Sequence, residues 1–258
     1  MELIDTHCHL TFDDLAQDID GVIERSRQAG VTGWITVGTD MRENQKALEF
    51  ANRFENLYAA VAIHPHDAKT VTGETIRELS TLGRDPKVVA IGETGLDYHY
   101  NHSLHHDQRR VFAQHLKIAA ELNLPVIIHC RKAFEETIEI LDRHGGDVRK
   151  VVWHCFSGSA EQAQLLIPRG YYFSFTGVVT FKNAEKTRRA AAVIPVERLM
   201  LETDCPYMSP EPMRKQKVNE PALMVHTARF LAALKGMSLE EFAAATTATA
   251  KAFFNLPQ

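Results

Sequence analysis

The chain has 258 residues, 45% of them hydrophobic and 24% charged, and its 29 Lys and Arg against 33 Asp and Glu leave a net charge of −4. That length suits one large α/β barrel or two smaller domains, and the slightly acidic balance argues against extensive non-specific binding of duplex nucleic acid, leaving room for a small local phosphate site. No apolar run approaches a membrane span, and the charged Glu2 and Asp5 stand where a secretion signal needs its apolar core, so the expectation is a cytoplasmic protein that does not engage a membrane.

Taken in order, apolar runs of strand length alternate with longer helical patterns. The predicted strands are Leu3–Thr6, Trp34–Val37, Tyr58–Ile63, Val88–Gly92, Val126–His129, Val151–His154, Tyr171–Thr176 and Leu199–Glu202. Most are rich in Val, Ile, Tyr and Phe, as pleated, buried positions favour. Between them lie amphipathic segments. Asp14–Ala29 puts Leu15, Ile19, Val22 and Ile23 on one face, with Gly30 as a C-cap signal. Ser103–Leu122 offers Ser103 as N-cap and Phe112, Leu116 and Ala119 at helical spacing. Arg42–Phe54, Glu74–Leu82, Phe134–Arg143, Ala160–Ile167, Ala184–Val193, Ala222–Ala233 and Leu239–Phe253 complete the helices. Eight strands each followed by a helix, in about 250 residues, describe a single (β/α)8 TIM barrel. An open doubly wound sheet is the alternative, but Gly92-Glu93-Thr94-Gly95 lacks the glycine spacing of a dinucleotide site. No linker, repeat or low-complexity segment interrupts the chain, so residues 1–258 read as one domain.

The polar residues gather at the strand ends. His7 and His9 lie two apart at the end of the first strand, hence on one face. Alone, such a pair is an ordinary feature. Here ligand types recur: His64-Pro65-His66 after strand three, Glu93 after strand four, His129 at strand five, His154 at strand six, and Glu202-Thr203-Asp204 at strand eight. In a barrel all these ends open on one face. Strands one and eight adjoin at closure, so His7, His9 and Asp204 can share one ion; strands five and six adjoin, so His129 and His154 can share another; Glu93 has two oxygens and can bridge. Two such ions activate water and stabilise attacking and leaving oxygens. The nitrogen-rich set suits Zn, Mn or Fe better than Mg. Cys8, Cys130, Cys155 and Cys205 each follow a metal-site residue, so alternation turns them outward to pack between sheet and helices.

Several pieces together resemble one family. Asp5-Thr6-His7-Cys8-His9-Leu10, His64-Pro65-His66, Gly92-Glu93-Thr94-Gly95-Leu96-Asp97-Tyr98, His129-Cys130-Arg131, His154-Cys155-Phe156-Ser157-Gly158, Glu202-Thr203-Asp204-Cys205-Pro206-Tyr207 and Asn219-Glu220-Pro221 look like the motifs of the TatD family of metal-dependent deoxyribonucleases, within the amidohydrolase superfamily. The match covers nearly the whole chain. Ala62-Ile63 stands where Gly-Val is common in the family, outside the ligands. The resemblance implies a barrel, metal ligands His7, His9, Glu93, His129, His154 and Asp204, and phosphodiester hydrolysis supported by Mg or Mn.

The resulting expectation is a phosphodiesterase that trims DNA 3′ ends with metal-activated water. It uses two divalent ions (Mg, Mn or Zn), acts on DNA or an oligonucleotide, and needs no obligate protein partner. Asp204 is the expected base, with Glu202 either a runner-up that orients ligand or water or one half of a buried ion pair. His64 and Arg131 are the expected substrate contacts; Lys182, Arg214, Lys215 and Lys217 read as solvated loop charges. Tyr98 and Tyr100 either stack a base or pack their loop. His99, His102, His105, His106, His115, His144 and His226 are expected to have no catalytic role. The rival readings are a hydrolase of the same superfamily acting on an amide, lactone or small phosphoester, and a non-catalytic scaffold. The number of ligands exceeds what one closed structural site needs, which argues against the scaffold.

Overall fold

A computed structural model describes residues Met1–Pro257. The elements run β1 (Leu3–Cys8), α1 (Asp13–Ala16), α2 (Ile19–Gln28), β2 (Val31–Val37), α3 (Met41–Arg53), β3 (Leu57–Val61), α4 (Gly73–Leu82), β4 (Val88–Asp97), α5 (His105–Leu122), β5 (Val126–Arg131), α6 (Phe134–His144), β6 (Val151–Trp153), α7 (Ala160–Leu166), β7 (Tyr172–Phe175), α8 (Glu185–Val193), β8 (Leu199–Leu201), α9 (Met224–Lys235) and α10 (Leu239–Phe254). The strands are parallel and follow in sheet order from β1 to β8, the (β/α)8 fold read from the alternation. Parallel strands covered on both faces carry continuous apolar runs rather than alternating ones; every residue of β1 and β4 is buried. The chain divides into two compact units, residues 1–36 with residues from 155 onward, and residues 37–154.

In the first unit β1 lies beside β8. The Thr6 hydroxyl donates to the Leu201 carbonyl at 2.9 Å, and the Asp204 amide donates to the His7 carbonyl at 2.9 Å. Phe173, Phe175, Leu199 and Leu201 fill the space around β7 and β8. The last helix is tied to the first strand: the Thr247 hydroxyl donates to the Glu2 carbonyl at 2.8 Å, and Lys251 pairs with the Glu2 carboxylate at 3.1 Å.

In the second unit α5 packs on β4 and buries Phe112 and Leu116, while its Val111 packs with Ile63, Ala68 and Val71 of the segment after β3; each fully buried side chain of this kind contributes roughly 1.5–3 kcal/mol. The Asn44 side chain grips the segment after β3, donating to the Ala62 carbonyl at 2.8 Å and accepting its amide at 3.1 Å. That fixes the approach to His64.

Three local readings differ from the structure. The helix predicted over Asp14–Ala29 breaks in two, because Asp18 leaves helical geometry (φ −130°) before α2 and turns its carboxylate onto Arg25 at 2.9 Å. Ser103 is not a cap: α5 begins at His105 after Leu104, and the Ser103 hydroxyl donates to the His66 carbonyl at 2.7 Å while accepting the Lys69 amide at 3.0 Å. A hydroxyl engaged in tertiary bonds cannot also close a helix end. Cys155 lies beyond β6, so strand alternation does not govern it; its sulfur sits 3.6 Å from Thr176 Oγ1 and 3.9 Å from Met208 Sδ. Cys8 and Cys130 follow the packing expectation, the Cys8 thiol donating to the Ile35 carbonyl at 3.3 Å and Cys130 Sγ accepting from Thr137 of α6 at 3.4 Å.

Candidate metal centre

In the first unit the ends of β1 and β8 bring three donors together. His7 Nε2 and His9 Nε2 are 3.3 Å apart, and Asp204 Oδ1 lies 3.6 Å from the first and 3.2 Å from the second. These are the separations of neighbouring ligands around one ion bound at about 2.0–2.2 Å. A neutral imidazole has one lone-pair nitrogen, so two ring nitrogens and a carboxylate oxygen aimed at one point form a cation's donor set. All three residues are buried.

The backbone makes this geometry. The His9 amide donates to the Cys205 carbonyl at 2.9 Å, and the buried Asp5 carboxylate takes the Thr203 amide at 3.0 Å and the Thr203 hydroxyl at 2.6 Å. Burial pushes the Asp5 carboxyl up to about 7 against the pull of these Thr203 donors. Asp204 has φ +53°, a left-handed conformation that Asp tolerates better than most residues. Phe12 stacks on the His9 ring with centroids 4.7 Å apart, which restrains its rotation.

In the second unit one carboxylate oxygen collects three histidines. Glu93 Oε1 is 2.5 Å from His129 Nδ1, 2.9 Å from His154 Nε2 and 3.6 Å from His64 Nε2. Burial alone would raise the Glu93 carboxyl, but His154, His64 and His129 outweigh it and hold it well below the usual carboxylate range. An ionised carboxylate among imidazoles is again a set that fits a divalent ion. Gly95 makes room for it. Its φ of +138° is open to glycine, and a Cβ there would stand 2.1 Å from the His129 carbonyl oxygen.

One backbone contact fixes the tautomer of His64. Its Nδ1 accepts the His66 amide at 3.1 Å, and burial lowers the ring's pKa to about 4. The neutral ring therefore carries its proton on Nε2, which makes that nitrogen a donor rather than a metal ligand.

Two residues beyond the predicted set join this cluster. Asp97 is buried and its Oδ2 lies 3.0 Å from His129 Nε2 and 3.1 Å from His66 Nε2. Burial would raise the Asp97 carboxyl, yet hydrogen bonds from His129 and His66 hold it far below its usual range. A carboxylate on the far nitrogen fixes the ring of a ligating histidine and raises its basicity. The sequence signal was present: Asp97 lies four residues after Glu93, at matching strand parity, once β4 is allowed to run past Gly92.

Glu202 is fully buried in the first unit, with Oε1 accepting the Cys155 amide at 2.5 Å and Oε2 accepting the Ser174 hydroxyl at 2.6 Å. Arg131 ends β5 exposed, its guanidinium 4.6 Å from the Tyr100 ring centroid. Among the described residues, no helix is long and apolar enough to cross a membrane.

Comparison with known proteins covers nearly the whole chain. The family model of TatD-related DNases matches residues 4–255. The metal-dependent hydrolase YabD of Bacillus subtilis is 41% identical over 254 residues, covering 98% of this chain and 99% of that protein. The 3′-5′ ssDNA/RNA exonuclease TatD of Shigella flexneri is 36% identical over 258 residues, covering 98% and 99%. The crystal structure of YjjV, a TatD homolog from Escherichia coli, superposes with a TM-score of 0.93 at 32% identity, covering 99% of this chain and 98% of that one. With the match running almost end to end, the chain belongs to the TatD-related DNase family of (β/α)8 metal-dependent hydrolases, enzymes that act on phosphodiester bonds.

Proposed function

We propose that this chain is an exonuclease that releases nucleotides from the 3′ ends of single-stranded DNA. The observation that carries the reading is the convergence of His7, His9 and Asp204 donor atoms at 3.2–3.6 Å, beside strand ends whose motifs are those of a nuclease family. His7, His9 and Asp204 hold one divalent ion, and Glu93, His129 and His154 hold a second. Divalent ions so held lower the pKa of water and neutralise charge on a phosphate.

The protein's own groups do the rest. Asp204 takes the proton of the attacking water, since a carboxylate beside a cation stays ionised at neutral pH. His64 donates its Nε2 proton to a phosphate oxygen, the role its tautomer supports. Arg131 pairs with a phosphate as a cation. Asp97 holds the His129 ring. Glu202 acts as a positioning residue through Cys155, the neighbour of His154; Cys155 has φ +43°, and a buried carboxylate on its amide stabilises that strained backbone.

The test is metal-stripped protein with 5′-labelled single-stranded DNA, to which Mg, Mn or Zn is added in turn. Metal-dependent shortening from the 3′ end is expected. Hydrolysis of small esters or lactones with the DNA left intact would overturn the reading.

A further inference from the structure

Two tyrosines flank the second-unit cluster and their surroundings differ. Tyr98 is occupied: its ring stacks on His105 at 3.5 Å between centroids and 9° between planes, and its hydroxyl accepts from Arg109 at 3.0 Å. Tyr100 is 51% exposed. Its main chain is nonetheless held, the amide donating to Asp97 Oδ1 at 2.8 Å. The same carboxylate orients His129 through its other oxygen.

The ring is framed by groups that suit a flat, π-faced ligand. His66 meets it edge-on at 5.5 Å and 88°, and His66 lies 6.3 Å from the His129 ring. Tyr100 therefore stands two ring contacts from a ligand histidine. His102 stacks against it, 7° between planes, but at 5.6 Å between centroids rather than the 3.5 Å of His105 on Tyr98, and His99 meets it at its edge at 4.7 Å. The Arg131 guanidinium lies over it at 4.6 Å, rising from β5 two residues after His129 and so on the same strand face. A fixed, half-exposed aromatic ring next to a planar cation matches the way single-stranded nucleic acid is held: bases stack on the ring and the cation follows the backbone.

We propose that Tyr100, with Arg131 against its ring, is a stacking site for a nucleobase at or next to the 3′ end of the substrate strand. This rests on the exonuclease reading above and adds to it. Every base has a π face, so such a site discriminates base from no base while tolerating sequence.

The experiment measures kcat/KM with Mn on short single-stranded oligonucleotides that carry one abasic residue at the last or the second-last position, against the intact strand. The wild type should prefer the intact strand by about tenfold or more at one of the two positions, the effect of losing one stacked base. Tyr100→Ala should lose most of that preference, mainly through KM, and Tyr100→Phe should keep it because the ring remains. An equal preference in wild type and Tyr100→Ala, or its loss in Tyr100→Phe as well, overturns the stacking site. A wild type that cleaves but ignores the missing base at both positions also overturns it while leaving the exonuclease reading intact. A wild type that releases nothing from any strand brings down that reading, and this site with it.

Discussion

The two donor clusters are built by different means. At His7, His9 and Asp204 the main chain does the positioning: the ends of β1 and β8 are stitched by backbone hydrogen bonds at or next to each of the three residues, and the buried Asp5 carboxylate clamps Thr203. At Glu93 the side chains do it. Glu93 collects His129, His154 and His64, and Asp97 backs His129 and His66 from behind. The first cluster hangs on a main-chain frame. The second has more titratable groups, held by one another. Changes to a backing side chain should thus disturb the second cluster more than the first.

The largest expected effect is on rate. Asp204→Asn keeps shape and one ligating oxygen but cannot accept the proton. The variant should fold normally and lose about 10²–10⁴-fold in kcat at saturating metal. Glu202→Gln should be milder, because the wild-type oxygens already serve Cys155 and Ser174. A dead Glu202→Gln beside an active Asp204→Asn would reverse the assignment.

Asp97→Asn tests the side-chain frame directly. It removes the charge behind His129, and metal affinity at the second cluster should fall about 10–100-fold. The ion at His7, His9 and Asp204 should be retained. Metal titration followed by mass spectrometry reads both; loss of the two together would erase the contrast drawn above.

Acid provides a third probe. His115 of α5 is fully buried, bonded through Nδ1 to Thr94 Oγ1 at 2.6 Å, and burial lowers its pKa to about 3. The unfolded chain takes up this proton below about 6.5, while the folded chain refuses it until about 3. Its contribution is therefore constant above pH 6.5 and is lost as pH falls through that window, by at most about 1.4 kcal/mol per pH unit. Denaturant unfolding of wild type and His115→Gln between pH 4 and 7 should show a shallower slope for the variant. Parallel slopes would mean that His115 titrates in the folded chain.

The smallest effect belongs to the thiols. Cys8→Ala and Cys130→Ala should each cost about 1 kcal/mol of packing and leave metal content unchanged in both clusters. A lost ion with the fold intact would make a thiol a ligand.

Most of the strand ends were legible because parallel strands announce themselves as apolar runs and the polar residues that follow stand out against them. His7, His9, Glu93, His129, His154 and Asp204 could be gathered on that basis. Asp97 and the role of His66 could not. Gly92 and Gly95 look like strand breakers in sequence, whereas in the fold the glycines let β4 continue past His129 at a distance no Cβ would permit. Ser103 was misread for a related reason: a serine before a helix satisfies the capping pattern, and nothing local reveals that His66 and Lys69 claim its hydroxyl. Tertiary partners decide such cases, and they lie about 35 residues away in the chain.

The first unit is discontinuous, and that has a consequence during synthesis. His7 and His9 leave the ribosome among the first residues, but Asp204 and the strand that positions it come only after the whole of residues 37–154. At about 5–20 residues per second, the wait lasts on the order of 10 s. Through that interval the nascent chain carries a histidine pair without its carboxylate, on a strand without its β8 neighbour. Residues 37–154 are complete before β8 is made, with Glu93, His129 and His154 all present. The donors of the second cluster are therefore the ones that come together first, and the first cluster is finished only when β8 arrives.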